Sequence, residues 1–537
     1  MNLILLEENK LGNVTPIFIF NSLDTIRGGL TKAVLTRANA LIDTFPQIYI
    51  FTLKYQKNHE QIINKLYESG KLDRRVKVLN MFVDIDPFKE KEKVTLDPKI
   101  YEIKEDGFVE FKDNGSKELS FRYYKNGLYV KYKRFDKKNR LMLIDYMNEG
   151  RHRIRREEYN QDGTLSRVQH MDLFQNKPKL ERYMSKNGEC FLSLWIDPKT
   201  GKGGRCQLYY PHPIEFKNLN ELYSFWITEK IKKIDNPILM TDSRKTDEIL
   251  LNVTDSKCKR IAILHNNHFA KPYTAGSDIK ATWKPLFNNI EKFDKVVFLT
   301  NEQKNDVSER FGKHNHFTVI PHSVIPTYID PKITFNPYLA VTLARYEEQK
   351  RLDEAIHAFK YVVDAIPTAE YHIYGFGPDE NKLKELIEKL NLNKNVFLKG
   401  FTDNPTSVYQ SASCSILTSD YEGFGLVITE SLAAGTPVIA YDIKYGPKDI
   451  IRNGIDGYLV PKGDQKQLAE KIIKIMTNQD LRNQFSQNAS EVVKRFSYEM
   501  YRQKWVELFK EFKDDTPQVE TKQSKKTPGR FWSLFKK

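Results

Sequence analysis

Two glutamates with seven residues between them frame the most chemically suggestive stretch of this chain. Tyr421-Glu422-Gly423-Phe424-Gly425-Leu426 is followed by Val-Ile-Thr and then Glu430. The segment ahead of it, CSILTS, reads as a strand and the segment behind it as a helix, so the glycines fall in a strand-to-helix loop. Backbone N–H groups at such a helix start can receive a phosphate or sugar oxygen, and the helix dipole favours negative charge there. Glu422 would stand at the loop, and Glu430 on the helix could accept hydrogen bonds from ribose hydroxyls. A glycine loop before a helix is also ordinary α/β structure, so EGFG alone identifies nothing.

A chain of 537 residues predicts about three domains, each large enough for its own core. With 40% hydrophobic and 29% charged residues the composition is that of a folded globular protein, neither disordered nor collagenous. The four cysteines, Cys190, Cys206, Cys258 and Cys414, form no CxxC pair, and no histidine cluster has ligand spacing, so neither a disulfide framework nor a structural zinc site is expected. The opening MNLILLEENK lacks the basic start and the apolar run of about 7–15 residues of a signal peptide. No run approaches the ~20 apolar residues of a membrane span. These features predict a cytoplasmic protein. The excess of 85 Lys and Arg over 70 Asp and Glu, +15, favours encounter with a polyanion without saying which.

Periodicity divides the chain. From Pro16 to about Phe82 strands and helices alternate as βαβαβ, which implies a parallel sheet. From about Lys99 to His212, short aromatic and basic runs are punctuated by Asp106-Gly107, Asn114-Gly115, Asn126-Gly127, Asp162-Gly163 and Asn187-Gly188. Such dipeptides favour tight hairpins in which both turn residues have positive φ, so an antiparallel meander is expected. After residue 215 the α/β rhythm returns, a Pro-punctuated linker IPTYIDPKITFNP follows, and a second α/β unit runs from YLAVTLARY to about residue 513. The expected fold is therefore α/β: residues 1–98 and 215–325 form one Rossmann-like domain, 99–214 a β-meander inserted into it, and 326–515 a second Rossmann-like domain. Residues 516–537 form a basic aromatic tail, suited either to a frayed end or to peripheral contact with anionic membrane at its inner face.

The run EGFGLVITESLAAGTPVIA resembles the Glu-x7-Glu signature of retaining GT-B glycosyltransferases of family 4. Together with Tyr441-Asp442-Ile443-Lys444-Tyr445-Gly446-Pro447, Arg27-Gly28-Gly29-Leu30 and the inserted meander, it resembles the bacterial branch that glycosylates wall teichoic acid or Ser-rich and Ser-Asp-repeat surface adhesins. The likeness spans nearly the whole chain apart from the tail. It implies a cleft between two Rossmann-like domains, in which Arg345 and Lys350 of LARYEEQKR stabilise the charge growing on a leaving UDP. It implies that Gly28 and Gly29 let backbone approach the diphosphate and that Gly377 of YGFG lines the nucleotide cleft. Glu422 would hold the transferred sugar and Glu430 the ribose, with Phe424, Gly425 and Leu426 completing the donor loop. A lone strand-end histidine is more often structural, but the resemblance implies that His265 faces the reaction centre, with His268 a further candidate.

Other readings of these motifs are weaker. Asp84-Ile85-Asp86 resembles the metal-binding Asp-x-Asp of the other glycosyltransferase fold, but it marks the domain boundary, and no metal is expected. YGFG lacks the third glycine and downstream acid of a dinucleotide fingerprint. The expected activity is transfer of an α-linked GlcNAc or glucose from a UDP-sugar to an anionic acceptor, with wall teichoic acid polyol-phosphate favoured and an adhesin glycoprotein as the alternative. No cofactor is expected, and self-association is expected through 99–214. A non-catalytic polyanion-binding platform is the rival from another class, with the aromatic and basic run YYKNGLYVKYKRF as its surface. The retained Arg345, Lys350, Glu422 and Glu430 argue against it and against nucleic acid as the partner.

Overall fold

The computed structural model describes residues 11, 14–25, 28–89, 102–255 and 257–514. Arg27 and the tail from 516 to 537 lie outside the described residues. The N-terminal alternation forms strands β1 (Thr15–Phe20), β2 (Ile48–Thr52) and β3 (Val76–Asn80), with α1 (Gly29–Leu41) and α2 (His59–Glu68) as crossovers. Ten further strands, from β4 (Val109–Lys112) to β13 (Ile214–Phe216), pair antiparallel in strict chain order, as the turn-rich sequence predicts. The chain then returns to the first sheet as β14 (Pro237–Thr241), β15 (Lys259–Leu264), β16 (Lys295–Phe298) and β17 (Phe317–Val319).

The first sheet is parallel throughout, with the order β17-β16-β15-β14-β1-β2-β3. Ile17, Phe18 and Ile19 of β1 and Ile238, Leu239 and Met240 of β14 are all buried, as expected for strands covered on both faces. Strand order reverses between β1 and β14, and in such sheets ligands bind beyond the carboxyl ends at the reversal. A second parallel sheet has the order β20-β19-β18-β21-β22-β23. Its strands are β18 (Asn336–Leu343), β19 (Glu370–Tyr374), β20 (Val396–Gly400), β21 (Ala412–Leu417), β22 (Val438–Asp442) and β23 (Gly457–Pro461). Helix α3 (Leu426–Ala433) follows β21 through the glycine loop.

Three expectations need correction. The insertion ends at Phe216 and not at 214, because Phe216 pairs with Cys206 of the neighbouring strand. Only Asn126-Gly127 has positive φ at both turn residues, 49° and 77°; at Gly107, Gly163 and Gly188 the glycine alone is left-handed, and Asn114-Gly115 uses neither. One left-handed residue after an ordinary turn also reverses a strand, so the dipeptide signals the hairpin without fixing its type. Lastly, α4 (Tyr498–Asp514) does not belong with the second domain.

Helix α4 crosses back to the first domain. Tyr501, Trp505, Leu508, Phe509 and Phe512 recur at helical spacing and are buried in one cluster with Phe18, Val34 and Phe45. The Phe45 and Phe509 rings meet edge to face at 4.9 Å. Helix α4 thus straps the two domains together. Trp505→Ala is expected to remove ~3–5 kcal/mol from the first domain, read as a lower denaturant midpoint.

The insertion is no pendant. Tyr183, Phe191, Leu192 and Leu208 share a core with Ile17, Phe51 and Trp226 of the first domain. Asp84 of the Asp-Ile-Asp stretch takes part in this junction, accepting from Trp226 Nε1 at 2.8 Å and pairing with Lys230 at 2.6 Å.

Candidate active site

A cavity of about 440 Å³ lies between the two domains, at the carboxyl ends of β14 and β15 and against the glycine loop of the second domain. Helix N-termini enter it from both sides. Gly29 and Leu30 begin α1, and Leu426 and Val427 begin α3 directly after Gly425. Neither helix has a side-chain N-cap or an acidic residue in its first turn. Their free N–H groups and dipoles therefore present positive potential to an anion in the cavity.

Two cations add to it. Lys350 donates to Glu422 Oε1 at 2.6 Å, with both side chains largely buried, and Ser419 Oγ donates to the same oxygen at 2.7 Å. Arg345 is 59% exposed and pairs with Glu347 at 2.6 Å, so its guanidinium is free to reorient toward a ligand. Glycine is required where the loop crosses the cleft: a Cβ on Gly423 would stand 1.9 Å from the His265 carbonyl oxygen.

On the opposite wall, His265 Nε2 lies 2.5 Å from Asp242 Oδ1, and Arg37 Nη2 lies 2.5 Å from Asp242 Oδ2. Burial opposes the charge on Asp242, but the Arg37 guanidinium and the His265 hydrogen bond overcome it and hold the carboxyl well below the usual range. Burial pushes His265 below its ordinary value of 6.5 against the pull of Asp242, and it pushes the stacked His322 far lower. His265 is thus neutral at pH 7. With Nε2–H donated to Asp242, Nδ1 is left as an acceptor for a hydroxyl.

The profile for glycosyl transferases group 1 matches residues 329–492, and that for glycosyl transferase 1 domain A matches residues 17–199. The chain is 32% identical over 511 residues to the poly(glycerol-phosphate) alpha-glucosyltransferase of Bacillus subtilis, a match covering 91% of this chain and 74% of the relative. The chain belongs to the group 1 glycosyltransferases. It is also 28% identical over 495 residues to the poly(ribitol-phosphate) alpha-N-acetylglucosaminyltransferase of Staphylococcus aureus, covering 91% of this chain and 98% of the relative. A crystal structure of a Staphylococcus aureus TarM mutant in complex with fondaparinux, alpha-GlcNAc-glycerol and UDP superposes with a TM-score of 0.81. That match is 26% identical and covers 92% of this chain and 99% of that one. Two Rossmann-like domains facing a cleft, the first interrupted by a β-meander, make this glycosyltransferase a GT-B fold.

Within the glycosyltransferase cleft, the cavity brings together His265, Arg345, Lys350, Glu422, Gly29, Phe424, Gly425 and Leu426. Four expected residues are placed otherwise. Gly28 is exposed, outside the cavity wall, and its carbonyl accepts from Thr31 N at the start of α1. Gly377 packs behind the wall, where a Cβ would stand 2.3 Å from the Tyr346 carbonyl oxygen; it lets its loop support the backbone beside Arg345. Glu430 lines an adjoining cavity that shares Leu426, one helical turn away, and accepts from Lys32 Nζ at 2.5 Å. His268 is fully buried among Phe269, Trp283, Phe287 and Tyr445, with both ring nitrogens unpartnered, and burial lowers its pKa to about 3. It packs the domain junction and does not face the cavity.

The residues missed from the sequence are Arg37, Asp242 and His322. Arg37 carried a signal: it sits on the apolar face of α1 with Val34, Ala38 and Leu41, and a charge on a buried stripe demands a partner.

Proposed function

We propose that the chain transfers glucose or GlcNAc from a UDP-sugar to a polyol-phosphate acceptor of the wall teichoic acid class, with retention of the α configuration. The observation that carries this reading is the meeting of Lys350, Arg345 and two uncapped helix N-termini in one cavity with Glu422 and His265. The cations and helix starts suit a diphosphate leaving group, and Glu422 and the neutral His265 suit the hydroxyls of a sugar. The names of the two relatives point to polyol-phosphate acceptors, and the +15 charge fits any anionic chain. A Ser-Asp-repeat adhesin is the second acceptor to test.

In the proposed reaction the anomeric C–O bond to the UDP oxygen breaks and a bond to the acceptor hydroxyl forms on the same face. The acceptor proton passes to the leaving diphosphate. Lys350 and Arg345 stabilise the charge that develops there, so no metal is needed for that role. Transfer is expected to be unchanged by EDTA, read as UDP release before and after chelation. A loss restored by a divalent cation would contradict the cation assignment. Analysis of the anomeric linkage in the product tests retention.

The same reading includes self-association through the antiparallel insertion, whose surface exposes Val109, Phe111, Leu128 and Phe174. Among the described residues no helix is long and apolar enough to cross a membrane. A cytoplasmic enzyme whose basic tail meets the anionic inner face of the membrane is the arrangement we propose.

A further inference from the structure

A further cavity, of about 420 Å³, opens where the first sheet meets the insertion. Its floor is formed beyond the carboxyl ends of β2 and β3, the same edge of the sheet that carries the active site. The two lie two or three strands apart, on the order of 10–15 Å at the usual strand spacing. The shared core of insertion and first domain holds the cavity walls together.

Helix α2 starts in this cavity. Asn58 at its N-cap makes no side-chain capping bond; the His59 N–H goes to the Gln56 carbonyl, and those of Glu60 and Gln61 keep their donor capacity. His59 lines the wall at 7% exposure, and its Nδ1 has no partner; neither has the buried Oε1 of Gln56 beside it. Such buried polar atoms are costly unless something satisfies them. Lys57, ahead of the helix, donates only to the Met142 carbonyl at 3.1 Å and pairs with no carboxylate among the described residues, although Glu158 and Asp136 are near enough to act on it. Lys186 reaches the cavity from the insertion and is half-exposed beside Asp162 at 3.4 Å.

The lining is not uniformly basic. Glu60, Asp86 and Asp162 share it with Lys57, Lys89 and Lys186, and amides of Asn80, Asn160 and Gln161 lie among them. Phosphate alone would favour cations throughout. A ligand that alternates phosphate with hydroxyls needs both anion donors and hydroxyl acceptors. We propose that this cavity is an acceptor subsite that binds a phosphodiester-linked polyol unit other than the one being glycosylated, with Lys57, Lys186 and the start of α2 on the phosphate. The inference rests on the polyol-phosphate reading above and extends it to recognition of acceptor length.

The test compares full-length wild type with Lys57→Glu/Lys186→Glu, using single-repeat glycerol phosphate and a long poly(glycerol-phosphate) as acceptors under one UDP-sugar. The double variant is expected to raise KM for the polymer about tenfold or more, with kcat and single-repeat transfer retained. Lys186→Glu alone, on an exposed turn, is expected to give the same length-selective defect to a smaller degree, with an unchanged melting temperature. Equal defects with both acceptors, or none with either, would overturn the subsite while leaving the acceptor class standing. Failure of the wild type to use either acceptor would overturn the acceptor class and the subsite with it.

Discussion

Lys350→Ala is expected to lower kcat by ~10²–10³. The ammonium meets Glu422 at 2.6 Å, at the rim where α3 begins. In the free enzyme Glu422 neutralises the lysine and Ser419 anchors the carboxylate. When a diphosphate leaves, the growing negative charge gains most from a cation already held in place, because no reorganisation accompanies the reaction. Lys350→Arg is expected to restore part of the rate, since the charge returns with a different reach. Arg345→Ala is expected to act more on donor KM, because among the described residues its exposed guanidinium is paired only with Glu347 before the donor arrives. Initial rates at several donor concentrations separate the two effects. A Lys350→Ala enzyme with unchanged kcat would remove the lysine from the reacting centre.

Asp242→Asn is expected to be the most destabilising change at the site, by ~3–5 kcal/mol, because it leaves Arg37 buried without a counter-charge. Arg37 cannot escape to solvent: its guanidinium lies 5.0 Å from the Phe18 ring and 4.9 Å from the Trp505 ring. The substitution also leaves one acceptor oxygen where His265 and Arg37 each use one, so the imidazole is held less firmly and surviving enzyme is expected to have a lower kcat. The pH sign follows from the shifts. Asp242 has a depressed folded pKa, so its contribution is present above the ordinary value of 3.8 and is lost as pH falls through the folded value. His265 and His322 are held neutral by burial, so the unfolded chain takes up more protons below pH 6.5 and stability falls on acidification from there. Unfolding of both proteins across acid pH reads this. In Asp242→Asn the carboxylate-dependent part of the acid loss is expected to be absent. An unchanged unfolding midpoint at pH 7 would contradict the buried-network account.

Local chemistry was legible in the sequence. Strand, glycine loop and helix occur within residues 412–433, so the placement of Glu422 and α3 follows from neighbours in the chain. The hairpin dipeptides likewise marked a meander whose strands pair only with the strands before and after them. Partners distant in sequence were not legible. Arg37 and Asp242 are 205 residues apart, and nothing near either names the other. Helix α4 shows an apolar stripe at 501, 505, 508, 509 and 512, which demands burial without saying in which domain. Glu430 was correctly a helix residue, but the pairing with Lys32 depends on how the domains meet. His268 failed for a related reason: its aromatic surround is drawn from residues 269 to 287 and from Tyr445 across the cleft.

These observations give the protein a division of labour. The second domain contributes Lys350, Arg345 and the glycine loop to the cavity, the first contributes the His265 wall, and α4 packs Trp505 against the arginine behind that wall. The insertion, fused to the first domain through a shared core, borders the route along which a long acceptor would run.

The most direct test is UDP release from UDP-glucose and UDP-GlcNAc, each with poly(glycerol-phosphate), poly(ribitol-phosphate) or a Ser-Asp repeat peptide, beside a Glu422→Ala control. Release that depends on a polyol-phosphate and disappears in the control is the expected result. No release with any pair, together with no binding of UDP, would contradict a catalytic cleft and leave only a surface for polyanions.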